Sequence, residues 1–148
     1  MKKKQRPKFR NKLGLLHTSV FLAILIFDQI TKLAFLTYPG KDFGWIAFHL
    51  VKNTGASFGM LKAFGFFLAL LSIMALVVIA WYYVRSNSRV QLFLTIIGAG
   101  VLGNLLNRIT YGYVIDFVDL KWWPVFNVAD SAIVVGVIGL AIYMTLKK

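Results

Sequence analysis

The sequence contains no cysteine and no glutamate. Without thiols, disulfides, thiolate metal sites and cysteine nucleophiles are excluded. Without glutamate, carboxylate chemistry falls on five aspartates, Asp28, Asp42, Asp116, Asp119 and Asp130. The two histidines, His17 and His49, have no partner at metal-ligand spacing. Both read as structural or surface residues, and neither a metal nor an organic cofactor is expected. Against five acids stand seventeen basic residues, a net charge of +12 that would ordinarily suggest nucleic acid. Seven of them, however, lie in the first twelve residues and run directly into an apolar segment. No stripe of aromatics alternates with the basic residues, as base stacking would require, so nucleic acid is not an expected partner. The tail reads instead as a membrane orientation signal drawn to anionic headgroups.

What the chain has in excess is apolar length. Hydrophobic residues make up 59% of its 148 residues, more than a soluble domain of this size buries in its own core. Lipid must cover the remainder. Runs near the ~20 residues that span a hydrocarbon core occur at Leu13 to Leu36, Ala63 to Val84, Val90 to Ile109 and Val125 to Leu146. The first is too long for a cleaved signal peptide and lacks a small-residue cleavage pattern before Tyr38 and Pro39, so it reads as a retained helix. Four crossings place both termini on one side, where Arg85, Arg89, Lys147 and Lys148 join the basic tail. Lys41, Lys52 and Lys121 fall in the outer loops, so the heavily basic side is cytoplasmic. The expected fold class is an all-α integral membrane protein, a bundle of four transmembrane helices forming a single membrane domain over residues 1–148, without internal repeat. Of the outer segments, residues 37–62 alternate through Trp45 to Val51 and fit either a small interfacial sheet or a membrane-surface helix. Residues 110–124 read as a loop whose Trp122 and Trp123 rest at headgroup depth.

Polar residues inside a span are costly, so their depth is informative. At ~1.5 Å per residue from the cytoplasmic side, Asp28 lies roughly 22 Å up its helix, Asn104 roughly 21 Å and Asp130 about 24 Å. Three helices thus place polar groups in one outer-leaflet layer. Asp28 and Lys32 share a helical face in the favourable acid-before-base order, and Asn104, Asn107 and Arg108 share a face of helix three. The plainest reading is a buried polar network that holds the bundle together. Gly98, Gly100, Gly103, Gly136 and Gly139 read as close-packing positions between helices.

Asp116 lies in an apolar setting after helix three, Tyr113-Val114-Ile115-Asp116-Phe117, and Asp130 opens helix four in Phe126-Asn127-Val128-Ala129-Asp130. Two carboxylates sharing a low-dielectric pocket cannot both ionise, so one keeps its proton while the other is a base. Such a pair can activate water for amide hydrolysis; the alternative reading is two solvated loop aspartates without chemistry.

The chain resembles the lipoprotein signal peptidases. Their D-Q-x-[ST]-K motif is matched by Asp28-Gln29-Ile30-Thr31-Lys32, and N-x-G-[AS]-x-F by Asn53-Thr54-Gly55-Ala56-Ser57-Phe58. G-N-x-x-D-R resembles Gly103-Asn104-Leu105-Leu106-Asn107-Arg108, V-x-D-F matches Val114-Ile115-Asp116-Phe117, and F-N-x-A-D matches Phe126 to Asp130. Each motif is short; five in the family's order are specific together. The resemblance implies an intramembrane aspartyl endopeptidase of the bacterial cytoplasmic membrane, working near the outer leaflet. Its substrate would be a diacylglyceryl prolipoprotein, cut just before the lipid-modified cysteine, and membrane lipids would be its other partners. By the same resemblance Asp116 and Asp130 are the catalytic pair, and Asn53, Gly55, Asn104, Arg108 and Asn127 line or support the pocket. Asp28, with Lys32, caps or positions a neighbouring segment. Where the family has an acid this chain has Asn107, which puts an expected salt bridge in doubt and would leave Arg108 freer for substrate. Residues 37–62 are expected to lie over the site as a lid with flexible points at Gly44, Gly55 and Gly59. Two rival readings make different demands. A proton-coupled transporter wants its acid near the midplane, reachable from both sides. A scaffold protein would leave both aspartates replaceable.

Overall fold

Four long helices and a three-stranded sheet make up the computed structural model, which describes residues 7–55 and 62–147. In chain order these are helix α1 (Pro7–Phe35), strands β1 (Lys41–Asp42) and β2 (Ala47–Asn53), helices α2 (Lys62–Arg85) and α3 (Ser88–Tyr111), strand β3 (Val114–Asp119) and helix α4 (Val128–Leu146). Every helix is long and apolar enough to cross a bilayer, and the shortest, 19 residues, extends about 28 Å. Helix α1 starts at Pro7 rather than near residue 13, because lysine and arginine are good helix formers and the helix continues through the basic segment. Asn87 ends the tight turn after α2 and caps α3, its side chain accepting from the N–H groups of Arg89 and Val90. At the other end of α3, Gly112 takes up φ +77° and donates its N–H to the Arg108 carbonyl.

Helix α3 is the axis on which the other three helices pack. Its glycines set the spacing to α4. A Cβ on Gly100 would collide with the Ala129 carbonyl oxygen. On α4, a Cβ at Gly136 would lie 2.6 Å from Ile97, and one at Gly139 2.5 Å from Phe93. Gly98 differs from this pattern. Its hypothetical Cβ meets only ordinary contacts, and it lines a cavity of about 380 Å³ between α1, α2 and α3. His17 borders the same cavity and is buried there, its Nδ1 3.0 Å from the Tyr83 hydroxyl, so it is a structural residue joining α1 to α2. The outward faces are apolar throughout: Phe66, Val77, Val84 and Val135 are each more than 60% exposed, a surface suited to lipid and not to water.

The sheet sits at the bundle end where α1 and α3 finish and α4 begins. Its order is β1-β2-β3, all antiparallel. Residues 37–62 therefore supply strands, the first of the two alternatives their alternation allowed. Residues 110–124 are not a simple loop. They contain β3, whose Val114, Ile115, Asp116 and Phe117 are all buried and which pairs with β2 some sixty residues earlier in the chain. The Phe117 ring stacks on Phe35 at 4.2 Å, holding the strand against the end of α1. Between Phe48 and Val51 the β2 strand carries an extra residue, a bulge that lets its end turn toward Asp116. After β3 the chain doubles back, Phe126 exchanging backbone hydrogen bonds with Val118. This return keeps the chain extended through Phe126, so α4 begins at Val128 rather than Val125. Of the expected lid, Gly44 and Gly55 take up φ +89° and +79° in turns, whereas Gly59 lies outside the described residues.

Candidate active site

The first turn of α4 organises the site. A helix start leaves N–H groups unpaired, and here side chains from two helices pair them. Asn127 is the N-cap. Its Oδ1 accepts from the Asp130 N–H at 2.9 Å, while the Asp130 Oδ2 accepts from the Asn127 N–H at 3.1 Å. This reciprocal capping box explains why asparagine and aspartate stand three residues apart in the F-N-x-A-D motif. The next free donor, the Ala129 N–H, is taken at 2.9 Å by the Asp28 Oδ1 from α1. Asp28 thus caps a helix one hundred residues later in the chain.

Asp28 is fully buried, as is Lys32 one turn on, and their ion pair measures 2.9 Å. The carboxylate fits because residue 103 is glycine; a Cβ there would stand 2.5 Å from the Asp28 Oδ2. Gln29, which sequence reasoning passed over within its motif, donates to the Asp28 Oδ2 at 2.8 Å and to the Gly103 carbonyl at 3.1 Å. Lys32 also donates to the Asn104 Oδ1 at 2.8 Å. An ammonium group only donates, so this contact fixes the amide of Asn104: its oxygen faces Lys32 and its Nδ2 faces Asp130, to which it donates at 2.8 Å.

Asp116 is reached from the other side. Asn127 uses its Nδ2 to donate to the Asp116 Oδ1 at 2.6 Å, and the same Nδ2 lies 3.1 Å from the Asn104 Oδ1. Asn53, at the end of β2, donates from its Nδ2 to the Asp116 Oδ2 at 2.7 Å. Its Oδ1 is held in turn by the Gly55 N–H at 2.8 Å, a turn that the positive φ of Gly55 makes possible. Asp116 and Asp130 therefore flank one asparagine, each carboxylate accepting two hydrogen bonds from neutral amide donors. Burial pushes the Asp116 carboxyl up to about 6. The bond from Asn53 opposes that rise, the charge of Asp130 adds to it, and the bond from Asn127 again opposes it.

The residues singled out in the sequence converge with two exceptions. Arg108 is half-buried, and its guanidinium makes no hydrogen bond or ion pair among the described residues. It lines a trough of about 610 Å³ between α2 and α3, with Gly65, Phe66, Ala69 and Gly112. Asn107 points elsewhere, as adjacent helical residues do, about 100° apart. Its Oδ1 accepts from the Ile115 N–H at 3.2 Å and its Nδ2 lies 3.4 Å from the Gln29 Oε1, so it ties α3 to β3. The amide at 107 is thus engaged in this seam, and the idea that it leaves Arg108 freer finds no support in the geometry. Capping alone explains Asp28 and part of Asp130. It does not explain Asp116, a carboxylate with 1% exposure in a strand, bonded to two asparagines and facing the other acid's cap.

Comparison with known proteins identifies the family. The signal peptidase (SPase) II family matches residues 20–146. The lipoprotein signal peptidase of Syntrophomonas wolfei is 44% identical over 135 residues, covering 85% of this chain and 90% of that protein. That of Thermodesulfovibrio yellowstonii is 44% identical over 144 residues, covering 88% and 93%. Among solved structures, a bacterial membrane enzyme determined at 1.9 Å by the in meso method superposes with a TM-score of 0.80 at 27% identity, covering 87% of this chain and 92% of that one. The chain therefore belongs to the signal peptidase II family and is a multi-pass bacterial membrane peptidase.

Proposed function

We propose that the protein is an aspartyl endopeptidase that removes the signal peptide of diacylglyceryl prolipoproteins, cutting before the lipid-modified cysteine with Asp116 and Asp130 as its catalytic pair. The observation that carries this reading is the bracketing of both carboxylates by Asn127. Asp116, the acid that burial disfavours as an anion, holds the proton. Asp130, capped into α4 and bonded by Asn104, is the base. A water between them loses a proton to Asp130 as it attacks the scissile carbonyl, and Asp116 protonates the carbonyl oxygen. The roles then exchange: the acid formed at Asp130 protonates the leaving amine as the tetrahedral intermediate collapses. Arg108, uncommitted among the described residues, is available to hold the substrate backbone near the developing oxyanion. Asn53, Gly55, Asn104, Asn127, Asp28 and Lys32 position the pair.

The same reading places both termini in the cytoplasm, with the site near the outer leaflet and the lipid of the substrate remaining in the bilayer. Nucleic acid has no part in it. Lys12, Arg85, Arg89 and Lys147, at the bundle end opposite the dyad, support this orientation. The transporter alternative draws no support from the family match. In the test, purified protein in detergent is given a diacylglyceryl prolipoprotein, and cleavage is followed by gel mobility for wild type, Asp116→Asn and Asp130→Asn. Wild type is expected to release the signal peptide, and each variant to lose at least ~10²-fold in rate while remaining folded. Normal cleavage by both variants would overturn the reading.

A further inference from the structure

At the bundle end opposite the dyad, helices α1 and α2 each pack on α3 and hardly touch one another. The space between them is the cavity of about 380 Å³ that Gly98 borders, walled by Phe21 and Leu22 of α1, Leu76 and Ile79 of α2 and Leu94 of α3. It runs about 10 Å along α2, from Tyr83 to Leu76. Leu22 and Val84, both exposed, stand at its edge and leave it open to lipid. A Cβ at residue 98 would lie at an ordinary 3.5 Å from Ile79, so glycine there answers no helix contact and keeps the cleft deep.

The polar groups gather at one end. His17 and Tyr83 are joined across the cleft by a bond of 3.0 Å. A neutral imidazole and a phenol carry one N–H and one O–H between them, and the single bond between the two uses one of these. The other donor, on His17 or on Tyr83 according to the tautomer, has no partner among the described residues, although His17 is only 4% exposed. Thr95 returns its hydroxyl to the Gln91 carbonyl at 2.8 Å, and Thr18 is exposed at the rim. Farther out, Lys12 stands five residues before His17, and Arg85 two residues after Tyr83. No aspartate lies in this half of the bundle; Asp28 is about 16 Å beyond His17 along α1.

We propose that this cleft binds an anionic diacyl phospholipid of the inner leaflet. One acyl chain lies between α1 and α2, an ester carbonyl accepts from the unpaired donor of His17 and Tyr83, and the phosphate is level with Lys12 and Arg85. The leaflet rests on the orientation proposed above; the binding does not. His17 lies about 6 Å above Leu13, where the apolar run begins, the level at which ester groups meet hydrocarbon. The cations without acidic partners attract an anionic headgroup. Water could satisfy the donor but would leave the apolar length of the cleft without contacts.

Native mass spectrometry of the full chain released from maltoside micelles tests this with equal additions of dioleoyl phosphatidylglycerol, its diether analogue and dioleoyl phosphatidylcholine. Wild type should hold one phosphatidylglycerol at least fivefold more tightly than phosphatidylcholine and at least threefold more tightly than the diether, which lacks the carbonyl acceptors. Its melting temperature should rise on binding. Gly98→Leu, whose side chain fills the cleft, should lower retention of phosphatidylglycerol about tenfold. His17→Leu with Tyr83→Phe, which keeps the cleft apolar but removes both donors, should erase the preference over the diether. Val77→Phe, on the exposed face of α2, should match wild type. Equal retention of the three lipids by wild type, or wild-type retention and preferences in both cleft variants, would overturn the assignment; should Gly98→Leu fail to fold, the double variant decides. Cleavage of a prolipoprotein by wild type is read separately, so loss of this assignment would leave the peptidase reading intact.

Discussion

The buried pair of Asp28 and Lys32 gives the sharpest energetic test. Lys32→Met would leave the Asp28 carboxylate at 0% exposure with two neutral donors, the Ala129 N–H and the Gln29 amide, and no counter-charge. Breaking a buried ion pair from one side costs about 3–5 kcal/mol. Asp28→Asn should cost a similar amount. It strands the ammonium of Lys32 with a single acceptor, the Asn104 Oδ1, and turns the new amide N–H groups toward the donors of Lys32 and Gln29. If the two losses were independent, the double variant would lose the sum. Yet Asp28→Asn with Lys32→Met buries no charge and keeps an oxygen for the Ala129 N–H, so its main loss is the charged Lys32 bond to Asn104, about 1.5–3 kcal/mol. The double variant should therefore be more stable than either single one, with a coupling of at least ~3 kcal/mol. At about 2–4 °C per kcal/mol the single variants should melt roughly 10 °C below wild type in detergent. Thermal unfolding followed by tryptophan fluorescence reads this directly. Additive losses would show that neither charge depends on the other for its compensation. In activity, the double variant should lose kcat with little change in KM, because the Asn104 amide that touches Asp130 is then oriented by the Asn127 Nδ2 alone.

Three further outcomes follow from individual contacts. Because burial lifts the Asp116 carboxyl to about 6, kcat/KM should fall about tenfold per pH unit above pH 6 as the pair loses its proton. The folded protein binds that proton more tightly than the unfolded chain, so this residue's contribution to stability should decline from about pH 4 to pH 6 and then level off, a trend absent in Asp116→Asn. Gly103→Ala should destabilise the fold by more than about 1 kcal/mol and lower activity with it, since its Cβ would press on the Asp28 carboxylate at 2.5 Å; an unchanged melting temperature would show that α1 can move away. Asn107→Asp should keep the bond from the Ile115 N–H but set a carboxylate oxygen against the Gln29 Oε1, lowering the melting temperature by a few degrees. Equal stability would mean that Gln29 has turned its amide at the expense of Asp28 and Gly103.

The helices were legible because each is an apolar run near the length of a bilayer, a pattern that needs no knowledge of partners. Their ends were not, since caps decide them: Asn127 holds back the start of α4, and basic residues with good helix propensity carry α1 beyond its apolar stretch. Strand β3 was missed for a different reason. Six residues with two acids look like a loop until β2 is beside them, and that pairing spans some sixty residues. Within the site, depth along the helices brought Asp28, Asn104 and Asp130 to one layer, and the contacts among them follow. What depth could not supply is direction. That Asn107 turns to β3 while Arg108 turns to the α2 trough depends on how α3 is rotated among its neighbours, which no single helix specifies.

The donors around the dyad are asparagines, and this choice of residue has a physical reason. A lysine or arginine against either aspartate would favour both as anions and strip the pair of the proton its chemistry needs. An amide supplies a hydrogen bond without a charge, enough to fix a carboxylate in place while leaving it free to take or give a proton. Asn53 and Asn127 do this for Asp116, and Asn104 does it for Asp130. The buried cation of the site, Lys32, is kept one residue back, spent on Asp28 and on the oxygen of Asn104. There it sets the orientation of the amide that touches Asp130 without touching Asp130 itself. Asn104→Lys, which would bring a cation directly onto the dyad, should therefore abolish cleavage even where the protein folds, whereas Asn104→Gln should retain a measurable rate. Similar activity in both would mean that charge near the pair is immaterial and that the asparagines serve packing alone.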